Sequence, residues 1–122
     1  MTKIRTLVID DEPIARARVV SLLRHETDIE VVGECATGRQ AMSAIEHTQP
    51  DLLFLDIQMD TMTGMQVARS LDPATLPAIV FVTAYDQYAL EAFEVAATDY
   101  LLKPFDELRF RRTLEGGRAR RA

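Results

Sequence analysis

Residues 6–13 read Thr-Leu-Val-Ile-Asp-Asp-Glu-Pro: an apolar run, three acids in succession, then a proline. An apolar run rich in β-branched residues, with no polar residue at alternate positions, suits a strand buried on both faces, as in a parallel sheet. Pro13 suits the first position of a helix, where its missing N–H costs nothing. Working outward, the same kind of run recurs at Val31-Val32-Gly33, Leu52–Leu55, Ile79–Val82 and Tyr100–Leu102. Segments of helical period lie between them. Ala15, Val19, Leu22 and Leu23 make one stripe; Ala41, Ala44 and Ile45 a shorter one; Ala89, Ala92, Phe93 and Ala96 a third. Asp86 and Asp106 are placed as N-caps, and Phe105 and Phe110 flank Asp106 as a hydrophobic staple. Pro50, Leu71-Asp72-Pro73 and Gly116-Gly117 read as stops. The order βαβαβαβαβα predicts an open, doubly wound α/β parallel sheet of five strands with helices on both faces. Periodicity leaves the strand order open.

The chain has 122 residues, 48% of them apolar and 27% charged, which fits one ordinary globular domain. No apolar run approaches the length that spans a bilayer, and Met1–Arg5 leads straight into a strand without a signal-peptide pattern. One cysteine, Cys35, excludes an internal disulfide. A reducing, cytoplasmic setting is therefore expected, with no membrane partner. The net charge is −5, and three arginines (118, 120 and 121) crowd the last five residues. Without them the body stands at −8, with 11 Lys and Arg against 19 Asp and Glu. Such a body does not attract DNA phosphates. Residues 1–115 read as the domain, and 116–122 as a linker or solvated tail.

In a doubly wound sheet, ligands bind beyond the carboxyl ends of the strands. The first run ends in Asp10-Asp11, with Glu12 next; the third ends in Asp56, the fourth in Thr83, the fifth in Lys103-Pro104. The fold would gather these at one edge. Clustered carboxylates repel and raise one another's pKa. A hard divalent cation relieves the repulsion, and all-oxygen ligands favour Mg²⁺. An ammonium and a hydroxyl opposite it suit a phosphoryl group, so the set reads as built for a phosphorylated carboxylate.

The motifs Val-Ile-Asp-Asp-Glu-Pro (8–13), Leu-Phe-Leu-Asp-Ile-Gln-Met (53–59), Gly64, Phe-Val-Thr-Ala (81–84) and Asp-Tyr-Leu-Leu-Lys-Pro-Phe (99–105) resemble the receiver domains of two-component response regulators. The resemblance covers about residues 4–115. Residues 83–94 resemble the LytTR-type subfamily, whose receivers are joined to a LytTR DNA-binding domain. The resemblance implies a flavodoxin-like (βα)5 fold with strand order 2-1-3-4-5. It implies Asp56 as acceptor of a phosphoryl group from a sensor histidine kinase, in a domain that is no enzyme but assists its own phosphorylation and dephosphorylation. Mg²⁺, or Mn²⁺, would be held by Asp11, by Asp10 mostly through water, by Asp56 and by the backbone carbonyl of Gln58. Lys103 would pair with the phosphoryl group, and the Lys103–Pro104 bond would be cis. Thr83 and Tyr100 would be the switch pair, changing the face of the fourth helix, fifth strand and fifth helix that governs homodimerisation. DNA would be reached only through an effector domain lying outside this chain. One position departs from the pattern: the residue four after the acceptor, usually proline, is Asp60, which bears on the phosphoryl lifetime.

Plainer readings accompany each residue. Asp10-Asp11 could cap the first helix, Asp56 could sit in a turn, Thr83 could start a helix, Tyr100 could be core, and Lys103 could be a solvated loop lysine. Met59, Met62 and Met65 fit packing, and Cys35 a small buried hydrophobe. His25 and His47 fit helix ends. Arg109, Arg111 and Arg112 fit a solvated or partner-facing helix side. Two rival functions share the fold. A flavin-binding electron carrier would want a glycine-rich phosphate loop after the first strand, where Asp-Asp-Glu-Pro stands instead. A phosphorylation-independent interaction module usually lacks part of the acidic set, which is complete here.

Overall fold

A computed structural model describes residues 2–121, with side chains through Arg118. The elements are β1 (Ile4–Ile9), α1 (Pro13–Arg24), β2 (Ile29–Cys35), α2 (Gly38–Thr48), β3 (Leu52–Leu55), α3 (Gly64–Arg69), β4 (Ala78–Thr83), α4 (Ala89–Glu94), β5 (Asp99–Leu102) and α5 (Glu107–Arg121), with a 3₁₀ turn at Pro73–Thr75. All five strands are parallel, in the order β2-β1-β3-β4-β5. The doubly wound sheet and its order match the expectation.

Alternation along the strands divides the core in two. Leu7, Ile9, Leu53, Leu55, Ile79 and Phe81 face one side, with Ala41 of α2, Met65 and Val67 of α3, and Ala92 of α4. Val8, Leu52, Phe54, Val80 and Val82 face the other, with Val19, Val20 and Leu23 of α1 and Phe110 and Leu114 of α5. Phe54 stacks on Phe110 at 5.5 Å between centroids, and Phe105 stacks on Phe110 at 5.7 Å. The Phe105–Phe110 staple therefore forms as read. So does the Asp106 cap, whose Oδ1 accepts the Arg109 N–H at 2.8 Å.

Three local readings are corrected. Asp86 does not cap α4: Tyr88 precedes the helix, and no side-chain cap bond forms there. The α4 stripe has a different phase. Ala92 is buried, with Tyr88 and Val95 packed beside it, whereas Phe93 is 83% exposed and Ala96 lies beyond the helix. The phenolic end of Tyr88 hid an inward ring in a polar-looking position. Finally, Gly116-Gly117 does not stop α5, which runs through both to Arg121. Gly117 is buried against Leu52, where even an added Cβ would find ordinary contact at 3.6 Å. One residue on, Arg118 reaches back to the α1–β2 loop, bonding both Asp28 oxygens at 2.7 and 2.8 Å and Glu26 at 2.6 Å. Those contacts offset part of the roughly 1 kcal/mol that each glycine costs in a helix. Arg118 is thus no solvated tail residue; the side chains of Arg120 and Arg121 and the placement of Ala122 lie outside the described residues.

Among the described residues, no helix is long and apolar enough to cross a membrane. Cys35 is buried at the end of β2, and its carbonyl accepts the Asp10 N–H at 2.9 Å. Met59 and Met65 are buried and Met62 packs beside them. His25 and His47 close the ends of α1 and α2, each with Nδ1 beside the carbonyl four residues earlier.

Candidate functional site

Parallel strands end together, so the last residues of β1, β3, β4 and β5 share one rim. Asp10 and Asp56 follow the ends of β1 and β3, each nearly fully buried, while Asp11 is exposed. One carboxylate oxygen from each of the three lies within 4.8 Å of the others. Asp10 does not cap α1 by reaching its second or third N–H. The residue preceding the helix is Glu12, without a side-chain cap, and Asp10 Oδ1 accepts the Glu12 N–H at 2.9 Å.

Lys103 enters from the β5 end. Its Nζ lies 2.7 Å from Glu12 Oε1, 2.9 Å from Asp10 Oδ2 and 3.5 Å from Asp56 Oδ2. The two short bonds go to Glu12 and Asp10, leaving Asp56 the loosest partner. Glu12 as a lysine partner was not foreseen; the run of three acids was visible, but the contact between residues 91 apart depends on folding. The Lys103–Pro104 bond is cis.

Burial shapes the charges here. It would lower the Lys103 pKa, but Glu12, Asp10 and Asp56 more than reverse that and raise it. Burial, then Asp10, push the Asp56 carboxyl up to about 7, against Lys103 and the Gln58 N–H, which favour the charged form. Partial burial raises the Asp11 carboxyl as well, helped by Asp10, Asp60 and Glu12. Asp60, the departure from the expected proline, thus adds its negative field to a cluster already short of cations.

The β3–α3 turn is held tightly to the rim. Gly64 N–H donates to the Ile57 carbonyl at 2.9 Å, and a Cβ on Gly64 would fall 2.0 Å from the Asp56 carbonyl oxygen. Only glycine allows α3 to begin there. Thr63 and Gln66 complete a capping box for that helix. Gln58 N–H lies 3.3 Å from Asp56 Oδ1, and its side chain donates to the Tyr88 hydroxyl at 2.6 Å. This crossing bond was likewise not foreseen.

Thr83 ends β4 fully buried, its Oγ1 accepting weakly from the Tyr85 N–H at 3.4 Å. Tyr100 lies half-buried on β5, its ring tilted against Phe81 at 6.5 Å, and its hydroxyl donates to the Tyr85 carbonyl. Thr83 and Tyr100 are therefore linked through the main chain of Tyr85. Arg111 pairs with Glu107 one turn back and Arg112 is exposed, as a solvated helix side would have it. Arg109 departs from that reading, because it turns inward to Asp99.

Residues 6–115 match the model of the response regulator receiver domain. The chain belongs to that family. The receiver domain is similar to the transcriptional regulatory protein BtsR of Salmonella typhi, 49% identical over 119 residues, which are 98% of this chain and 50% of that protein. The chain thus spans about half the length of the curated relatives it matches. Among solved structures, the response regulatory domain of mrkE from Klebsiella pneumoniae superposes with a TM-score of 0.89 at 32% identity, over 95% of this chain and 96% of that one. The receiver domain of AraT, a response regulator from Geobacillus stearothermophilus, gives 0.85 at 30% identity, over 96% and 95%. Receiver domains are signalling phosphoacceptors with an acidic pocket for Mg²⁺, and membership brings this chain into two-component signalling.

Proposed function

We propose that this receiver domain takes a phosphoryl group from a sensor histidine kinase onto Asp56 and uses it to reset the face formed by α4, β5 and α5. The observation that carries the reading is the meeting of Asp10, Asp11 and Asp56 on one rim with Lys103 among them. A carboxylate oxygen of Asp56 attacks phosphorus, the phosphorus–nitrogen bond to the donor histidine breaks, and the imidazole leaves with the electron pair. Asp56 suits the nucleophile because, of the three acids that Lys103 touches, it is the one held least closely. The ammonium can then exchange a carboxylate partner for a phosphoryl oxygen, a charge-assisted bond of similar kind.

All-oxygen donors, two of them buried and mutually repelling, fit a hard divalent cation. Asp10, Asp11, Asp56 and the Gln58 carbonyl would hold Mg²⁺, or Mn²⁺, which when bound offsets the charge of the acids and of the incoming phosphoryl group. The same machinery would assist hydrolysis of the acyl phosphate, and Asp60 beside Asp11 would alter its lifetime. Thr83 would swing its hydroxyl to the phosphoryl group and Tyr100 would turn into the space released, favouring a homodimer. The motif at 83–94 supports assignment to the LytTR-type receivers, with transcriptional output from a domain outside this chain and a cytoplasmic location.

Intact mass after incubation with acetyl phosphate and Mg²⁺ tests the acceptor. One phosphoryl increment is expected in the native sequence and none in Asp56→Asn. No increment in either folded protein would leave the phosphorylation-independent module standing. Thr83→Ala should still accept the group but dimerise more weakly by sedimentation; equal dimerisation would remove Thr83 from the switch.

A further inference from the structure

Asp99 opens β5, and every oxygen site of its carboxylate is filled. Oδ1 accepts the Tyr100 N–H at 2.7 Å and Arg109 Nη2 at 3.2 Å; Oδ2 accepts Thr113 Oγ1 at 2.9 Å and Arg109 Nη1 at 3.1 Å. Arg109 is equally committed. Its Nη1 also donates to Thr113 Oγ1 at 2.7 Å, and its Nη2 also donates to the Tyr100 carbonyl at 3.2 Å. Thr113 is fully buried, so its hydroxyl has no water to fall back on. Burial alone would raise the Asp99 carboxyl; Arg109, the Tyr100 N–H and Thr113 hold it below the ordinary range.

The closed ring therefore touches Tyr100 on both sides of its Cα, at the amide and at the carbonyl. It leaves the side chain of Tyr100 untouched. The guanidinium's planar fork makes this possible, since a lysine ammonium in its place could not supply four donors in one plane.

We propose that Arg109, with Asp99 and Thr113, is a positioning element for Tyr100: it clamps the main chain of β5 so that the tyrosine's response is a rotation of its side chain and not a shift of the strand. The inference rests on the reading of Tyr100 as half of the switch, and it adds to that reading the residues that make the movement discrete. Two well-defined positions transmit a signal better than a continuum, because a ligand or modification acts by biasing distinct states.

The test uses the chain labelled with fluorotyrosine. Its three tyrosines give three ¹⁹F resonances, and Tyr100→Phe assigns the relevant one. The native chain should show one narrow Tyr100 signal that moves on treatment with acetyl phosphate and Mg²⁺. In Arg109→Ala, and in the milder Thr113→Val should the first fail to fold, the signal should shift and broaden before any treatment, and its later displacement should be lost. The ratio of the two tyrosine positions should change about tenfold, as expected for loss of bonds to a charged group. Arg109→Lys should not restore the native signal. Arg111→Ala, the same loss of charge two residues along α5, should leave it in place. A native Tyr100 signal with full displacement in folded Arg109→Ala would overturn the proposal. Phosphoryl uptake is read separately by mass, so failure of Asp56 to accept would strike the functional reading while the untreated spectra still decide the role of Arg109.

Discussion

At Asp56, the competition is between burial and charge neutralisation, and burial wins. Its native carboxyl titrates at about 7, against an ordinary value of 3.8. Between those values the native state holds a proton that the unfolded chain has released, so stability falls as pH rises through 7. In metal-free buffer, Asp56→Asn should melt above the native sequence at pH 8, with the gap narrowing towards pH 5. Adding Mg²⁺ at pH 8 should raise the native melting temperature and shrink the gap, because a ligand bound only by the folded state stabilises it. A gap that did not vary with pH would mean that Asp56 is ionised throughout. The meeting of Asp10, Asp56 and Lys103 on one rim was legible because buried parallel strands announce their own ends. The partnership of Lys103 with Glu12 was not, since nothing local to either residue selects the other.

Among the elements, α4 is the least secured. It has six residues and no side-chain cap, and it ends in a Schellman arrangement with the Ala97 N–H on the Ala92 carbonyl and the Ala96 N–H on the Phe93 carbonyl, both at 3.1 Å. That ending puts Ala96 at φ 60°, a left-handed conformation that favours glycine. Ala96→Gly should therefore stabilise the domain by up to about 1 kcal/mol, the relieved strain less the added freedom of the unfolded chain. Urea denaturation measures it, and a loss of stability would contradict the strain. The weak helix carries Leu90 and Phe93 on its outer face, both 83% exposed. The sequence stripe misplaced this face because a helix of fewer than two turns offers too few positions to fix its phase. The longer α1 left no such ambiguity: Ala15, Val19, Leu22 and Leu23 fell on the inner side, joined by Val20.

Among the described residues, the sheet holds two helices on one side and three on the other, and α5 is tied to the loop that follows α1. Arg118 grips Asp28 with two short bonds and Glu26 with a third, joining α5 to the α1–β2 loop. The groups are partly exposed, so the tie is worth about 1 kcal/mol after solvent screening. Arg118→Ala should lose about that much in low salt and less in high salt. An equal loss at both ionic strengths would point to packing instead. Local signals favoured a break at Gly116-Gly117, and long-range pairing overruled them. That is why the far end of α5 was harder to read than the rim.

Cys35, the only cysteine, lies buried with its carbonyl bonded to the main chain of Asp10, and burial raises its thiol pKa against the pull of Arg16. A thiol reagent can reach that sulfur only while the core that buries it, on the α2–α3 side of the sheet, opens. The pace of alkylation is consequently a clock for those openings, already present in the native chain and needing no engineered label.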